Sequence, residues 1–557
     1  MTIHEPESID ATLIESSWSN ESAVHRTGRS FLDSIENAAE QLDARPKLLL
    51  AILIAVYACI SLPIAFFRPL WHDELITFDL ASMPSLSAML KSIRLIDLNP
   101  PVLYLLDYLS IRIPGAHLND HFVSLAARLP SILGGFAASV GLFVLARRRI
   151  GALYAFALVC LYWNTPIFSY VTEDRPYALV SGLIVILLCV WERAVQAGRS
   201  LVWVAFTLVL GLAVMGSHFM SGVVLGAFIA ATIVSGLSRN RFDSPLLISC
   251  ILPFAVPVAY YSKITGYGSV LFPMEFQVTW ISIPVVYALL VGSSVLIFGV
   301  LLAVYMVLSF LPGSPVSAKP PLQQIPLVSK TDNRAKLVLL AGISLQPAIV
   351  VVAIMRVHGA FFLRYGLPGC IPIAILITVF IYSLFNGAKY AALIVVFASA
   401  LFPLTSLGHT IAKLRVDLSK AQAGRSGIPD YHAVEPELPF VVASGLTYVE
   451  MNHRERADFL NRVYYLTDID AAIQYAHATL FEHEAEVREM FHYPARVEAL
   501  RTFEAEHPRF LVLGTVNYPE DWLLRKLIAD GEDVRLVGMF RTSYKDSGLY
   551  EVTLRQQ

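Results

Sequence analysis

The chain has 557 residues, of which 56% are hydrophobic and only 15% charged; its net charge is −2 and its mean hydropathy +0.59. Soluble domains sit nearer about 45–50% apolar and about 25% charged, so this composition excludes an ordinary soluble protein and indicates a polytopic α-helical membrane protein. The near-neutral balance excludes a nucleic-acid partner, which calls for a basic face.

Residues 1–47 are polar, mixed in charge and rich in Ser, Glu and Asn, which reads as a flexible cytoplasmic N-terminus. The first apolar run begins only near residue 48, too late for a cleavable signal. A bilayer core takes roughly 20 apolar residues per helix. Eleven candidate spans follow, at 48–67, 129–146, 151–168, 178–194, 200–216, 219–236, 244–261, 283–311, 337–355, 367–385 and 388–408. Basic residues follow every even-numbered span: Arg147 to Arg149, Arg193 and Arg199, Arg239 and Arg241, Lys319 to Lys336, and Lys389. The positive-inside rule therefore puts those loops and the N-terminus in the cytoplasm, and the odd-numbered exits outside. Cys59, Cys160, Cys189, Cys250 and Cys370 all lie in apolar runs without metal or disulfide spacing, and read as structural.

Two segments exceed simple connections. Residues 68–128 form a long outer loop with helical signals. In "SMPSLSAMLKSI", Ser82 is expected as N-cap, with Leu86, Met89, Leu90 and Ile93 at helical spacing on an interfacial helix. In "NPPVLYLLDYL", Asn99 is expected to cap a second helix. The tail, 409–557, regains charge and alternates short strands ("PFVVAS", "RVYYLT", "RFLVLGT", "RLVGMF", "LYEVTL") with helical stretches such as "PEDWLLRKLIAD". That predicts a small extracytoplasmic α/β domain with a partly parallel sheet. It has no phosphate-cradling loop, so its expected role is to bind or shield substrate. The transmembrane domain is thus bounded at 48–408.

Five polar clusters fall on the expected outer face. "WHDEL" carries Asp73 and Glu74, a wet helix cap or a general base. "IDLNPP" carries Asp97 and Asn99, a capped helix start or a site. "SYVTEDRPYAL" carries Glu173, Asp174, Arg175 and Tyr177, a surface ion pair or a phosphate holder. "GSHFM" places His218 in a tight turn between two spans. "RVHGAFFLRYG" carries Arg356, His358, Arg364 and Tyr365, positive charge against the positive-inside rule and at the depth of a lipid phosphate. Each cluster alone has a bland reading; their convergence on one face suits chemistry on a lipid-linked anion.

In series, "WHDELITFDLASMPSLSAMLKSIRLIDLNPPVLYLLDYL", "AARLPSILGGFAASVGLFVLARRRIGALYAF" and "SYVTEDRPYAL" resemble the bacterial C-type glycosyltransferases related to protein O-mannosyltransferases and lipid A aminoarabinose transferases. The resemblance covers about 48–240, and "FFLRYGLPG" matches again in type. It implies transfer of a sugar from a polyprenyl-phosphate donor to a glycan, lipid or protein acceptor, on the outer face of the cytoplasmic membrane. It also implies Asp73 as catalytic base with Glu74 in support, Asp97 in the second motif, Arg175 and Tyr177 in the third, and Arg364 with Tyr365 near the donor phosphate. Lys91 and Arg356 are further candidates for that phosphate. Asn99 departs from the family, many of whose members have His there. The expected reaction is a single inverting displacement. No cofactor is required by it, and assistance from a divalent cation stays open. The rivals are a transporter or flippase, which predicts charged or broken helices near mid-membrane, and a non-catalytic scaffold.

Overall fold

The computed structural model describes residues 33–96, 99–113, 120–198, 200–260, 271–310, 333–357, 359–400, 408, 431–541 and 546–555. Asp97 and His358 lie outside the described residues, as do most of the expected N-terminus and the far end of the last span. Each of the eleven expected apolar segments coincides at least in part with a helical one. Among the described residues, six helices are long and apolar enough to cross a bilayer, or up to eight if each of two bent pairs is one span. The first, α1 (Pro46–Phe67), has 22 residues. At 1.5 Å per residue it is about 33 Å long, enough for a hydrocarbon core of about 30 Å.

The expectation of a flexible N-terminus is corrected for 33–43, which are helical. The reason is capping. Glu36 accepts hydrogen bonds from the backbone N–H of Lys389 and of Tyr390, both at 2.7 Å, and Asp43 accepts from the N–H of Leu153 at 2.7 Å. Two helices that begin without side-chain caps of their own thus have their orphan N–H groups satisfied from the N-terminal helix.

Helix α1 leads through His72–Ala81 (α2), Leu86–Ile96 (α3) and Val102–Ser110 (α4) to the 31-residue Asp120–Ile150 (α5). Ser82 does not open α3. It ends α2, and the α3 cap is Ser85, whose Oγ accepts from the Ala88 N–H at 3.1 Å. The apolar face of α3 is also less interfacial than its spacing suggests: Met89 and Ile93 are buried with Leu80 of α2 and Tyr104 of α4. Pro101, not Asn99, occupies the N-cap of α4.

Next come α6 (Ala152–Trp163), a 3₁₀ turn (Pro166–Thr172) bent from it by 77°, and α7 (Pro176–Ala197). Helices α5 and α7 approach closely because Gly134 and Gly182 face each other. A Cβ on Gly182 would lie 2.2 Å from the Gly134 carbonyl oxygen, the small-residue contact expected where helices meet in lipid. The other bent pair is Ser282–Val291 with Ser294–Val307, at 71°. It breaks at Gly292, whose φ of +56° suits glycine. Ser293 there donates to the Asn164 carbonyl at 3.0 Å, so the two breaks pack on one another.

The tail forms a six-stranded sheet, β1 Phe440–Val442, β2 Val463–Thr467, β3 Arg496–Ala499, β4 Arg509–Gly514, β5 Asp533–Arg541 and β6 Asp546–Thr553, in the order β3-β2-β1-β4-β6-β5. Strands β3, β2, β1 and β4 are mutually parallel, and β6 and β5 add on antiparallel. This is the partly parallel sheet expected, with β3 unforeseen because it is four residues long and partly exposed.

The sheet domain docks on α2 through α8 (Gly445–Arg454). Arg454 donates to the Leu70 carbonyl at 2.7 Å, and Asp79 accepts from Tyr493 and lies 2.9 Å from His453.

Candidate functional site

Helix α2 starts where α1 has just ended, so its first turn turns back toward α5, α7 and the sheet domain. Asp73 and Glu74 are consecutive there and point to different surroundings. The carboxylate of Asp73 lies 2.9 Å from Arg364 and 3.5 Å from Arg175. Burial pushes its pKa up, but the two guanidiniums outweigh that and hold it below the usual carboxylate range. Arg175 is itself fixed by the Asp73 carbonyl and the Thr77 hydroxyl, both at 3.3 Å.

Around this pair lies a cavity of about 1000 Å³. Asp73, Lys91, Asn99, Arg175, Tyr177, His218, Arg364 and Tyr365 all border it, so eight of the residues singled out in the sequence meet in one place. The rings of Tyr177, His218 and Tyr365 follow one another at centroid distances of 5.4 and 5.6 Å, and Arg364 sits 4.4 Å over the Phe362 ring. The opposite wall belongs to the sheet domain, through α9 (Glu484–Phe491) and the residues before it.

The remaining candidates lie elsewhere. Glu74, expected beside Asp73 in the chemistry, is fully buried and faces away. It accepts from Arg128 Nε at 2.7 Å and Nη2 at 2.6 Å, and from the backbone N–H groups of Asp174 at 2.7 Å and Trp71 at 3.2 Å. Its charge is consumed in joining α1, α2, α5 and the loop before α7. Arg128 completes the knot by donating to the carbonyls of Ala65 at 2.8 Å, Arg68 at 2.5 Å and Pro69 at 3.1 Å. Asp174 is fully buried against Asp107 of α4; burial above all pushes both carboxyls well above their usual range, with Asp174 adding to the rise at Asp107 and Glu74 to that at Asp174. Glu173 is raised to about 7, chiefly by burial, and lies 3.9 Å from Arg68 rather than in the cavity. Arg356, at the end of the helix Asn333–Val357, is exposed and does not border the cavity.

Sequence reasoning missed Arg128, although its signal was legible: a lone Arg near the basic-poor end of a span. It also left His72 without a role. His72 Nδ1 lies 3.4 Å from Glu450 of α8, so it helps seat the sheet domain. Among the described residues, no three His, Cys, Asp or Glu side chains are grouped so as to hold a metal ion.

Fold and site together define a polytopic membrane protein with a carboxylate–arginine cavity, roofed by an α/β domain. Residues 99–261 match the family model described as dolichyl-phosphate-mannose-protein mannosyltransferase. The matched segment overlaps the one in which the motifs resemble C-type glycosyltransferases, and spans less than a third of the chain. It includes Arg175, Tyr177 and His218, and leaves out Asp73 and Arg364. No curated protein matches the chain. Similar solved structures include ArnT from Cupriavidus metallidurans bound to undecaprenyl phosphate, at 11% identity and a TM-score of 0.49, covering 90% of this chain and 97% of that one. The apo state of the same protein gives 11% and 0.49, with 91% and 97% covered.

Proposed function

We propose that this protein transfers a sugar from a polyprenyl-phosphate donor to an acceptor hydroxyl, in the cavity around Asp73, on the outer face of the cytoplasmic membrane. The N-terminus then lies in the cytoplasm and the sheet domain outside. One observation carries the reading: an ionised Asp73 held at 2.9 Å by Arg364 and 3.5 Å by Arg175, at the floor of a cavity of about 1000 Å³.

In the resting protein this carboxylate is a weak base, because its two cationic neighbours favour the charged form. The donor phosphate competes for the same guanidiniums, which are well suited to hold it. As they turn to the phosphate, Asp73 loses their stabilisation and its basicity rises. It then takes the proton of the acceptor hydroxyl. The acceptor oxygen bonds to the sugar's anomeric carbon on the face opposite the phosphate, and the carbon–oxygen bond to the phosphate breaks. The phosphate departs with that electron pair, stabilised by Arg364, Arg175 and Lys91. In this reading those three supply the charge that a divalent cation would otherwise bring. Inversion follows from the single displacement.

A transporter would be expected to carry charged groups at broken helices. Among the described residues two apolar helix pairs are bent, by 77° and 71°. Their breaks carry Asn164, Thr165, Gly292 and Ser293, all uncharged and partly bonded to one another. The charges lie in the cavity instead, which favours the enzyme.

The test is incorporation of label from radiolabelled polyprenyl-phosphate sugars by membranes carrying wild type or Asp73→Asn. A base worth about 10²–10⁴-fold should leave the variant nearly inactive. Equal incorporation by both would remove Asp73 as base, and none by either, across a range of donors and acceptors, would favour the transporter.

A further inference from the structure

The cavity has two walls of opposite sign. Its floor holds Arg175, Arg364 and Lys91, whereas the wall from the sheet domain includes Glu484, Glu486 and Glu489 of α9. A cluster of glutamates on a surface helix is ordinarily only a solvated face. Glu484 is different. It is 5% exposed, and its Oε2 has no hydrogen-bond partner although it borders the cavity. Glu486 and Glu489 are exposed beside it. A buried carboxyl oxygen left without a partner costs about 1–3 kcal/mol, so a carboxyl group that borders the cavity and keeps one such oxygen is poised for a ligand group.

We propose that α9 forms the acceptor wall of this cavity and selects a hydroxyl-rich acceptor without an anionic group, a glycan rather than a phospholipid headgroup. The inference rests on the glycosyltransferase reading above and adds the acceptor class to it. Four observations support the assignment. The arginine floor is matched to the donor phosphate, so the acceptor must meet the other wall. Glu486 and Glu489 disfavour a phosphate there; no arginine or lysine borders the cavity on that wall, and its histidine, His483, lies 3.8 Å from Glu486. Burial raises the Glu484 carboxyl to about 8, so at neutral pH it is mostly protonated, able both to donate to a sugar hydroxyl and to accept from one. Phe481, also on this wall, offers a ring for the apolar face of a sugar.

The experiment uses the full chain in phosphatidylcholine nanodiscs. The binding of a short polyprenyl phosphate is measured first. The protein saturated with it is then titrated with a panel of neutral oligosaccharides and with soluble short-chain phosphatidylglycerol. Wild type should bind at least one oligosaccharide in preference to the phospholipid. Glu484→Leu should weaken that binding by about tenfold, equivalent to about 1.4 kcal/mol, and Glu484→Gln, which keeps a donor and an acceptor, should restore most of it. Polyprenyl-phosphate affinity should be the same in all three. Glu486→Gln with Glu489→Gln should improve phospholipid binding. The proposal is overturned if Glu484→Leu binds oligosaccharide as wild type does, or if the phospholipid binds and no oligosaccharide does. Wild type that fails to bind polyprenyl phosphate at all would instead remove the parent reading, and this one with it.

Discussion

Glu74→Gln separates the architecture of the site from its chemistry. Both oxygens of Glu74 are doubly occupied: Oε1 by Arg128 Nε and the Asp174 N–H, each at 2.7 Å, and Oε2 by Arg128 Nη2 at 2.6 Å and the Trp71 N–H at 3.2 Å. A glutamine offers one oxygen. Either way round, its NH₂ group faces two donors, and Arg128 keeps a charge with no counter-ion at 0% exposure. Breaking a buried pair in this way costs about 3–5 kcal/mol. The three carbonyls around Arg128 soften the loss, so about 3 kcal/mol is expected. For domains of about 150–250 residues 1 kcal/mol shifts Tm by about 2–4 °C, and less in larger proteins; a fall of about 5 °C is the working figure. It is read by thermal unfolding of detergent-purified protein. Arg128→Met should also destabilise, though less, because Arg68 stays 3.6 Å from Glu74, and the double variant should cost clearly less than the sum of both. Asp73→Asn, in contrast, should lose activity with a much smaller change in Tm. A Tm for Glu74→Gln within about 1 °C of wild type, or strict additivity with Arg128→Met, would refute the structural role given to this carboxylate.

Three further outcomes follow from the geometry. Gly182→Ala puts a methyl 2.2 Å from the Gly134 carbonyl oxygen; overpacking costs about 1–3 kcal/mol, so folded yield and Tm should both drop, and an unchanged Tm would mean that α5 and α7 do not meet there. Asp79→Ala removes the acceptor of Tyr493 and the partner of His453. Hydrogen exchange in α2 and α8 should rise by several-fold while the spans stay protected, and equal exchange would deny that contact a docking role. Glu484 gives the pH dependence. Burial raises its carboxyl to about 8, against about 4.3 in an unfolded chain, so over that interval the folded state holds a proton that the unfolded state releases. Its stability contribution is complete below about 4.3 and is lost progressively as pH rises to about 8. Glu484→Gln should flatten the fall in Tm between pH 5 and pH 8.5, and identical slopes would mean that Glu484 ionises normally.

The spans were legible because an apolar run of about twenty residues matches the thickness of a bilayer core, and the tail because short β-rich runs alternate with amphipathic ones. The cavity was legible for a different reason. Asp73, Arg175, Tyr177, His218, Arg364 and Tyr365 each sit where a span meets the expected outer face, and a helical bundle brings span ends together whatever its detailed packing. What escaped was set by tertiary partners. Ser82 carries the right chemistry for an N-cap, but α2 continues to Ala81 and leaves it at that helix's end. The helix over 33–43 is amphipathic only in relation to the helix starts at Ala152 and Lys389 that it caps. Glu484 looks like any glutamate of an exposed helix until the fold turns it inward.

Asp73 and Glu74 show the limit most directly. Adjacent residues on a helix point about 100° apart, so two like carboxylates in one motif need not share a role. One reaches the cavity arginines; the other is surrounded by Arg128, Arg68 and two backbone N–H groups. This division also bears on how Asp73, the proposed base, is held. Glu74 accepts from the Asp174 N–H, and Asp174 immediately precedes Arg175. Shifting the Asp174 backbone therefore moves the guanidinium that holds Asp73. On the proposed mechanism Glu74 would act through position alone, and the place to detect that is the ratio of activity to folded protein in Glu74→Gln. A variant whose surviving folded molecules turn over at the wild-type rate would show that the knot around Arg128 stabilises the protein without aiming Arg175.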